Sequence, residues 1–521
     1  MRVYEGSIVT GSNSVPTARF LVEDGGRILH VGDELPPAWS GAERVALGAG
    51  AMIPALADTH LHFMSHALFA SGLDVRDAPT IADLAEAVRA AASGKGKSIV
   101  LGFGASAWAV AERRLPSREE LDAAAPDRPV FIVKYDGHAG IANSAFLARL
   151  PSRVAALRGW DAASGLLEQE AFFAAVDFAA NTIPLGRTLE NMLRAIDGMA
   201  GKGIGMVHSV TGVGFPLDLD VTMESVFARG LRNELPYRVF FQTMDVRKAL
   251  SRKLPRIGGC FATALDGCFG SADAALLQPY TKAGSGRGVL YYDDGRVRAF
   301  ARDANRAGLQ IQMHAIGDAA FGQAVDAIAS ALDDTPRWDH RHTVIHACLP
   351  TERGLDLCAR LGIILAVQPA FLQWKLEPLE YLEDLIGERA YALSPLKSML
   401  RRGITLTGGS DAPCTLPDPL AGIAAACDHY VEEESLSFTE ALALFTRNAA
   451  LGSFDEKDRG TLEKGKIADF VLLNADPLAL KGKELRTLRA EKLYLSGRPY
   501  RAGQGIPELL ARAAFAGKKK I

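Results

Sequence analysis

The stretch Ala51-Met52-Ile53-Pro54-Ala55-Leu56-Ala57-Asp58-Thr59-His60-Leu61-His62 decides how this chain reads. An apolar run passes directly into a polar one that carries histidine at alternate positions. Side chains of an extended strand alternate between faces, so His60 and His62 share one face. Two neutral imidazoles aimed at one point suit a divalent metal. An isolated His-x-His is more often a pair of ordinary histidines near a strand end. The rest of the chain decides between these readings.

Downstream, strand-like apolar runs alternate with helical patterns. The strand candidates are Ile99–Phe103, Pro129–Lys134, Gly205–Ser209, Tyr237–Gln242, Phe261–Leu265, Leu309–His314, Thr343–His346, Ile363–Gln368 and Ile404–Gly408. Helical periodicity falls between them, for example over Ile81–Ala92, Leu189–Gly201, Val297–Ala307 and Ala319–Leu332. Alternation of this kind predicts βα units and a parallel sheet. With the His60/His62 strand there are about ten such steps, too many for a bare eight-stranded barrel. One segment is therefore expected to be an insertion, at roughly 66–200. There the Gly94-Lys95-Gly96-Lys97 loop and Ala123-Ala124-Ala125 break the spacing. The first fifty residues and the C-terminal end read as short strands with Gly turns, such as Ser7–Thr10, Ala18–Val22, Gly465–Leu473 and Lys492–Gly497. Neither end carries enough apolar surface for its own core, so the two are expected to pair. The predicted division is a small β-sandwich from 1–52 and 456–521, and a barrel over 53–455.

Polar residues close several of these strands. Leu309-Gln310-Ile311-Gln312-Met313 runs into His314, and Thr343-Val344-Ile345 runs into His346. Ile404-Thr405-Leu406-Thr407-Gly408-Gly409-Ser410 ends at Asp411. Taken singly, each has an ordinary structural role; Asp411, for instance, sits where a helix N-cap is common. In order, HxH, His, His and Asp on successive strands make a metal site of hard and borderline ligands.

These residues, with His314-Ala315-Ile316-Gly317-Asp318, Gly409-Ser410-Asp411-Ala412-Pro413, Thr446-Arg447-Asn448-Ala449-Ala450 and Gly465-Lys466-Ile467-Ala468-Asp469, resemble the amidohydrolase superfamily. Within it the chain is similar to the YtcJ-like metal-dependent hydrolases that include N-substituted formamide deformylases. The resemblance implies an α/β fold. The fold it implies is a (β/α)8 TIM barrel with a small β-sandwich formed by the N- and C-terminal segments and an α/β insertion after the first barrel strand. It further implies one or two divalent metal ions, usually zinc, at the C-terminal mouth. Carried over, the ligands are His60, His62, His314, His346 and Asp411. A carboxylated lysine often bridges the two ions in such proteins.

The bridge is where this sequence departs. Relatives often carry lysine four residues before an Asp-Gly on the fourth strand, and here that position, before Asp266-Gly267, holds Ala262. The expected substitute is Lys134, which ends Val130-Phe131-Ile132-Val133 beside Asp136 and His138; Glu168 is a further carboxylate at hand. Ile345 stands before His346 where relatives commonly have glutamate. Asp411 is the expected general base, with His138 or His208 helping to polarise a carbonyl oxygen. Substrate contacts are expected from Trp108, Asp136, His138 and Phe371, with Trp374 and Tyr291 as further aromatics. Cys414 reads as a buried thiol. The expected reaction is hydrolysis of an amide, N-acyl or cyclic amide C–N bond. Two alternatives stay open: a catalytically idle metal-binding or regulatory protein on the same fold, and a deaminase or lactonase of the same superfamily.

Bulk numbers narrow the classes further. At 521 residues the chain exceeds one ordinary domain, and a net charge of −3 leaves no footprint for nucleic acid or an anionic membrane. The only basic run, Lys518-Lys519-Lys520, reads as a solvated tail. No uncharged apolar run approaches the roughly 20 residues of a membrane helix. Six cysteines without CxxC spacing read as reduced thiols, and with no apolar leader at the N-terminus the expected compartment is the cytoplasm. The expected partners are a small-molecule substrate and, as an assembly, a homodimer.

Overall fold

A computed structural model describes residues 1–94, 98–212, 215–281, 286–516 and 521. The Lys518–Lys520 run, and Lys95 to Lys97 of the expected loop, lie outside the described residues.

Eight parallel strands build the barrel: Leu56–Leu61, Ile204–Thr211, Tyr237–Phe241, Arg256–Ala264, Gln310–Ala315, Thr343–His346, Ile364–Val367 and Leu406–Gly408. Each is hydrogen-bonded to the next in that order. The ring closes between the last strand and the first, where Asp411 N donates to His60 O at 2.8 Å and His62 N to Ala412 O at 2.9 Å. Thr59 Oγ1 adds a bond to Gly408 O at 2.9 Å. The two backbones approach so closely that a Cβ on Gly409 would sit 2.7 Å from His60 N. Only glycine fits there.

The strands pair because their bodies are apolar on both sides, as a covered parallel sheet demands. Leu56, Val207, Val239, Ile257, Ile311, Val344 and Leu365 are fully buried. Each such burial contributes about 1.5–3 kcal/mol. Helices cover the outside with amphipathic faces. Leu185–Gly201 turns Leu189, Met192, Ile196 and Met199 inward, and Asp294–Arg306 turns Val297, Phe300 and Ala301. Asp293 caps the latter by accepting from Arg296 N at 2.9 Å.

The ten strand-like runs resolve as eight plus two. Val100–Ala105 and Val130–Lys134 belong to a separate five-stranded sheet, with Leu73–Asp74, Ala139–Ala142 and Leu166–Glu168. This sheet leaves the barrel after the first strand and has cores of its own, one around Phe131, Phe146 and Phe172, the other around Leu84, Leu121 and Ile132. Buried Asn143 pins it, accepting from Val130 N and Phe146 N and donating to Ala125 O and Arg128 O. The chain ends meet as expected. Arg2–Val9, Thr17–Asp24, Arg27–Gly32 and Glu43–Pro54 join Phe470–Leu473, Ala490–Leu495 and Arg498–Pro499 in one seven-stranded sheet. No helix among the described residues is long and apolar enough to cross a membrane.

Candidate metal centre

The ligand candidates meet at the C-terminal mouth, where a barrel's strand ends converge. His60 Nε2 lies 3.2 Å and His62 Nε2 3.4 Å from Asp411 Oδ1. Atoms bound about 2.0–2.3 Å from one tetrahedral ion stand about 3.3–3.8 Å apart, so these separations match an ion's coordination edges. Asp58, also in the opening motif, holds the arrangement. Its carboxylate accepts from Ser410 N at 2.9 Å and from Ser410 Oγ at 2.5 Å, tying the first strand to the segment that carries Asp411. Asp411 adopts φ 58° and His346 φ 70°. Left-handed backbone at non-glycine residues clusters where a site over-determines it.

The second half of the site comes from His314 and His346. Nδ1 of His346 donates to Gln368 Oε1 at 2.6 Å, and Gln368 is itself anchored to Ala366 O at 3.0 Å. That bond fixes the tautomer and leaves Nε2 unprotonated toward the site. For His314 the roles are reversed. Its Nε2 faces Gly267 O at 3.2 Å and Asp266 Oδ1 at 3.4 Å, so Nδ1 keeps the free lone pair. Asp266 is rigid, because it accepts from Ala275 N, Ile316 N and Gly317 N.

One residue of this centre was not legible as such in the sequence. Cys260 Sγ lies 3.3 Å from His60 Nε2 and 3.8 Å from His346 Nε2. Two sets of donor atoms each gather within 4.8 Å: His60, His62, Cys260 and Asp411, and Cys260, His314 and His346. Reading the fourth strand from Phe261 put Cys260 outside it; the strand actually runs from Arg256 to Ala264. Gly258-Gly259 is the signal in the sequence that the strand begins earlier, since such a pair marks a bulge or a close backbone approach inside a strand.

Electrostatics fit a cation. Burial raises Asp411, but the neighbouring His60 and His62 outweigh it and hold the carboxyl well below the usual carboxylate range. Burial, then the neighbouring His314, pushes His346 well below the usual histidine value. Burial opposes protonation of His314 too, yet Asp266 beside it raises that imidazole. Asp411 Oδ1 and His314 Nδ1 are buried and make no hydrogen bond among the described residues. Unsatisfied polar atoms in a buried site call for a ligand. The donor set is one that a divalent ion would satisfy.

Lys134 takes a different place from the one expected. Its ammonium pairs with Asp136 Oδ2 at 2.7 Å and donates to Ser271 Oγ at 3.0 Å and Gly270 O at 3.3 Å. Burial lowers it, but the Asp136 charge prevails and raises it above the ordinary lysine value. A bridging carbamate needs a neutral amine, and three acceptors hold this one charged. Lys134 is a structural cation that fastens the insertion to the loop after the fourth strand. Ser271 Oγ on Asp136 Oδ2 at 2.8 Å and Tyr135 Oη on Glu377 Oε2 at 2.9 Å complete that junction.

The other expected site residues divide in two. A cavity of about 1030 Å³ opens above the centre, and Asp136, His138, Phe371, Trp374, Tyr291 and Glu168 line it, as do His62, His314, His346 and Asp411. His138 donates from Nδ1 to Asp136 O at 2.8 Å, which leaves Nε2 available. Phe371 lies against His346 with centroids 6.0 Å apart and planes 18° apart, and stacks on Trp374. Two residues fall outside this lining. His208 is buried in the second barrel strand against Phe240, and Trp108 stacks on Tyr381 under Arg113. His208 belongs to the barrel wall and Trp108 to the packing of the insertion. Cys414 is buried, and burial pushes its thiol well up, as expected.

Comparison with known proteins agrees with this geometry. The model of the amidohydrolase family matches residues 44–500. The amidohydrolase YtcJ of Bacillus subtilis (strain 168) is 27% identical over 488 residues, covering 87% of this chain and 90% of its own length. The N-substituted formamide deformylase of Arthrobacter pascens is 25% identical, covering 92% of this chain and 94% of its own. The crystal structure of a metal-dependent hydrolase from Pyrococcus furiosus superposes with a TM-score of 0.71 at 26% identity, covering 92% of this chain and 99% of that one. A closed parallel barrel with histidines and an aspartate at its mouth, matched along nearly its whole length, places this chain in the amidohydrolase family.

Proposed function

We propose that this protein hydrolyses a C–N bond of an amide, N-acyl or cyclic amide substrate, with Asp411 as general base at a zinc centre. The observation that carries the reading is Asp411 Oδ1: buried, without a hydrogen bond among the described residues, and between two imidazoles at 3.2 and 3.4 Å. His60, His62 and Asp411, with His314 and His346, would hold the metal. A divalent ion bound there supplies Lewis acidity and lowers the pKa of water toward about 7.

The protein's own groups supply the rest. Asp411 takes the proton of the attacking water and passes it to the leaving nitrogen. Gln368 and Asp266 hold His346 and His314 in fixed orientations, so little reorganisation is needed during reaction. His138 lines the same cavity, and with Nδ1 donating to Asp136 O its Nε2 is left to accept a hydrogen bond from an N–H of the substrate. The aromatic lining, Phe173, Phe261, Phe371 and Trp374 among it, favours an apolar substituent and excludes water. The deformylase named above, which matches nearly the whole chain, supports the choice of a C–N bond.

The test is Asp411→Asn assayed on a panel of N-acyl and N-formyl amides. Turnover should fall by about 10²–10⁴-fold, the usual worth of a positioned base, with metal still bound by the histidines. Near-normal turnover would refute the assignment.

A further inference from the structure

Cys260 stands where two ligand sets share one atom. It has donor atoms of His60, His62 and Asp411 on one side and of His314 and His346 on the other, each set gathered within 4.8 Å. We propose that Cys260 is the bridging ligand of a two-metal centre in this protein, its thiolate taking the place of a bridging lysine carbamate. The proposal rests on the metal-dependent reading of the site and adds the bridge, the nuclearity and the metal preference.

The backbone is built to present this side chain. Gly258 and Gly259 have φ 96° and 145°, and Phe261 has φ 44°. The pairing of the fourth strand with the fifth shifts register between Gly259 and Ala264. A Cβ on Gly258 would meet Gln312 O at 1.9 Å. A bulge of this kind bends a strand and re-aims a side chain, and bulges gather beside active sites. Cys260 lies within this irregular segment at the centre of the mouth, 3.3 Å from His60 Nε2 and 3.8 Å from His346 Nε2. Those distances are again the edges of a coordination tetrahedron. Cys260 is 5% exposed and lines the cavity. Phe261, the next residue, packs on His62 and Phe173 and closes the site above it.

On binding, the thiol gives its proton to solvent, and the sulfur donates one lone pair to each ion. A soft thiolate selects zinc, cobalt or cadmium over magnesium, calcium and manganese.

The experiment uses the full-length protein, stripped with chelator and reloaded with cobalt(II). Wild type should take up two cobalt ions per chain and show a sulfur-to-cobalt charge-transfer band in the near ultraviolet. Cys260→Ser should lose that band and about half of the cobalt, whereas Cys414→Ser, a control for another thiol of the cavity, should keep both. Two bound ions without the band, or a band that survives in Cys260→Ser, would overturn the bridge while leaving the metal site standing. Failure of wild type to bind either cobalt or zinc would overturn the metal-dependent reading itself. If Cys260→Ser does not fold, wild type alone decides. Iodoacetamide labelling of Cys260, mapped by peptide, should slow at least tenfold on loading with zinc, and an unchanged rate would overturn the proposal.

Discussion

Cys260 Sγ and His60 Nε2 lie 3.3 Å apart, although 200 residues separate them in the chain. The contact joins the fourth barrel strand to the first across the mouth, where the fourth strand's pairing with the fifth shifts register between Gly259 and Ala264. Cys260 has the parity of Arg256, whose guanidinium lies over Phe240, so strand alternation already turns Cys260 to the same face.

Lys134→Met should leave metal content unchanged and lower stability. The ammonium is the partner of buried Asp136, and removing one member of a buried pair costs about 3–5 kcal/mol because the other charge is left uncompensated. Thermal melting with metal analysis checks this. Loss of bound metal at unchanged stability would restore Lys134 as a ligand.

Gly409→Ala should loosen the barrel at its seam. The added Cβ would meet His60 N at 2.7 Å, a backbone atom that cannot swing aside. Overpacking of this kind costs about 1–3 kcal/mol. The same displacement separates His60 from Asp411, so metal affinity should fall together with the melting temperature.

Glu224 provides a pH signature remote from the metal ligands. Burial raises its carboxyl from 4.5 to about 8, with Tyr237 Oη donating to it at 2.8 Å. The folded state therefore binds a proton that the unfolded state has already released, and stability falls as pH rises from 4.5 to about 8. Each unit of displacement is worth about 1.4 kcal/mol, so the decline amounts to several kcal/mol. Glu224→Gln should lack it. Melting curves of both proteins across this range should diverge in favour of the variant as pH rises.

Phe371→Ala should discriminate between substrates. The ring stacks on His346 and Trp374 in the cavity wall. Amides with a bulky apolar N-substituent should lose about 10–200-fold in kcat/KM, the worth of about 1–3 kcal/mol of pocket contact, and small amides much less.

The parts of the site that the sequence revealed share one property. His60, His62, His314, His346 and Asp411 all follow apolar runs that became barrel strands, so strand-end logic found them. Lys134 obeys the same local rule, but its strand lies in the insertion expected at 66–200 and joins that five-stranded sheet, so its end is not one of the barrel's strand ends. Trp108 stood out as a loop aromatic, yet Tyr381, far along the chain, claims its ring. Cys260 ends no apolar run: Gly258 and Gly259 interrupt the strand before it, and the legible run begins only at Phe261. Each of the ten strand-like runs is a strand and the two within 66–200 belong to the insertion, but its other strands, Leu73–Asp74, Ala139–Ala142 and Leu166–Glu168, are too short to show as apolar runs.

The central claim is that hydrolysis of a C–N bond depends on a divalent ion at His60, His62 and Asp411. The most direct measurement follows turnover of an N-formyl or N-acyl amide panel by the full-length protein before chelation, after it, and after zinc is restored. Activity should vanish with the metal and return with it in wild type, and fail to return in His60→Ala. Turnover that persists in metal-free protein, or that zinc restores equally in His60→Ala, would contradict the account.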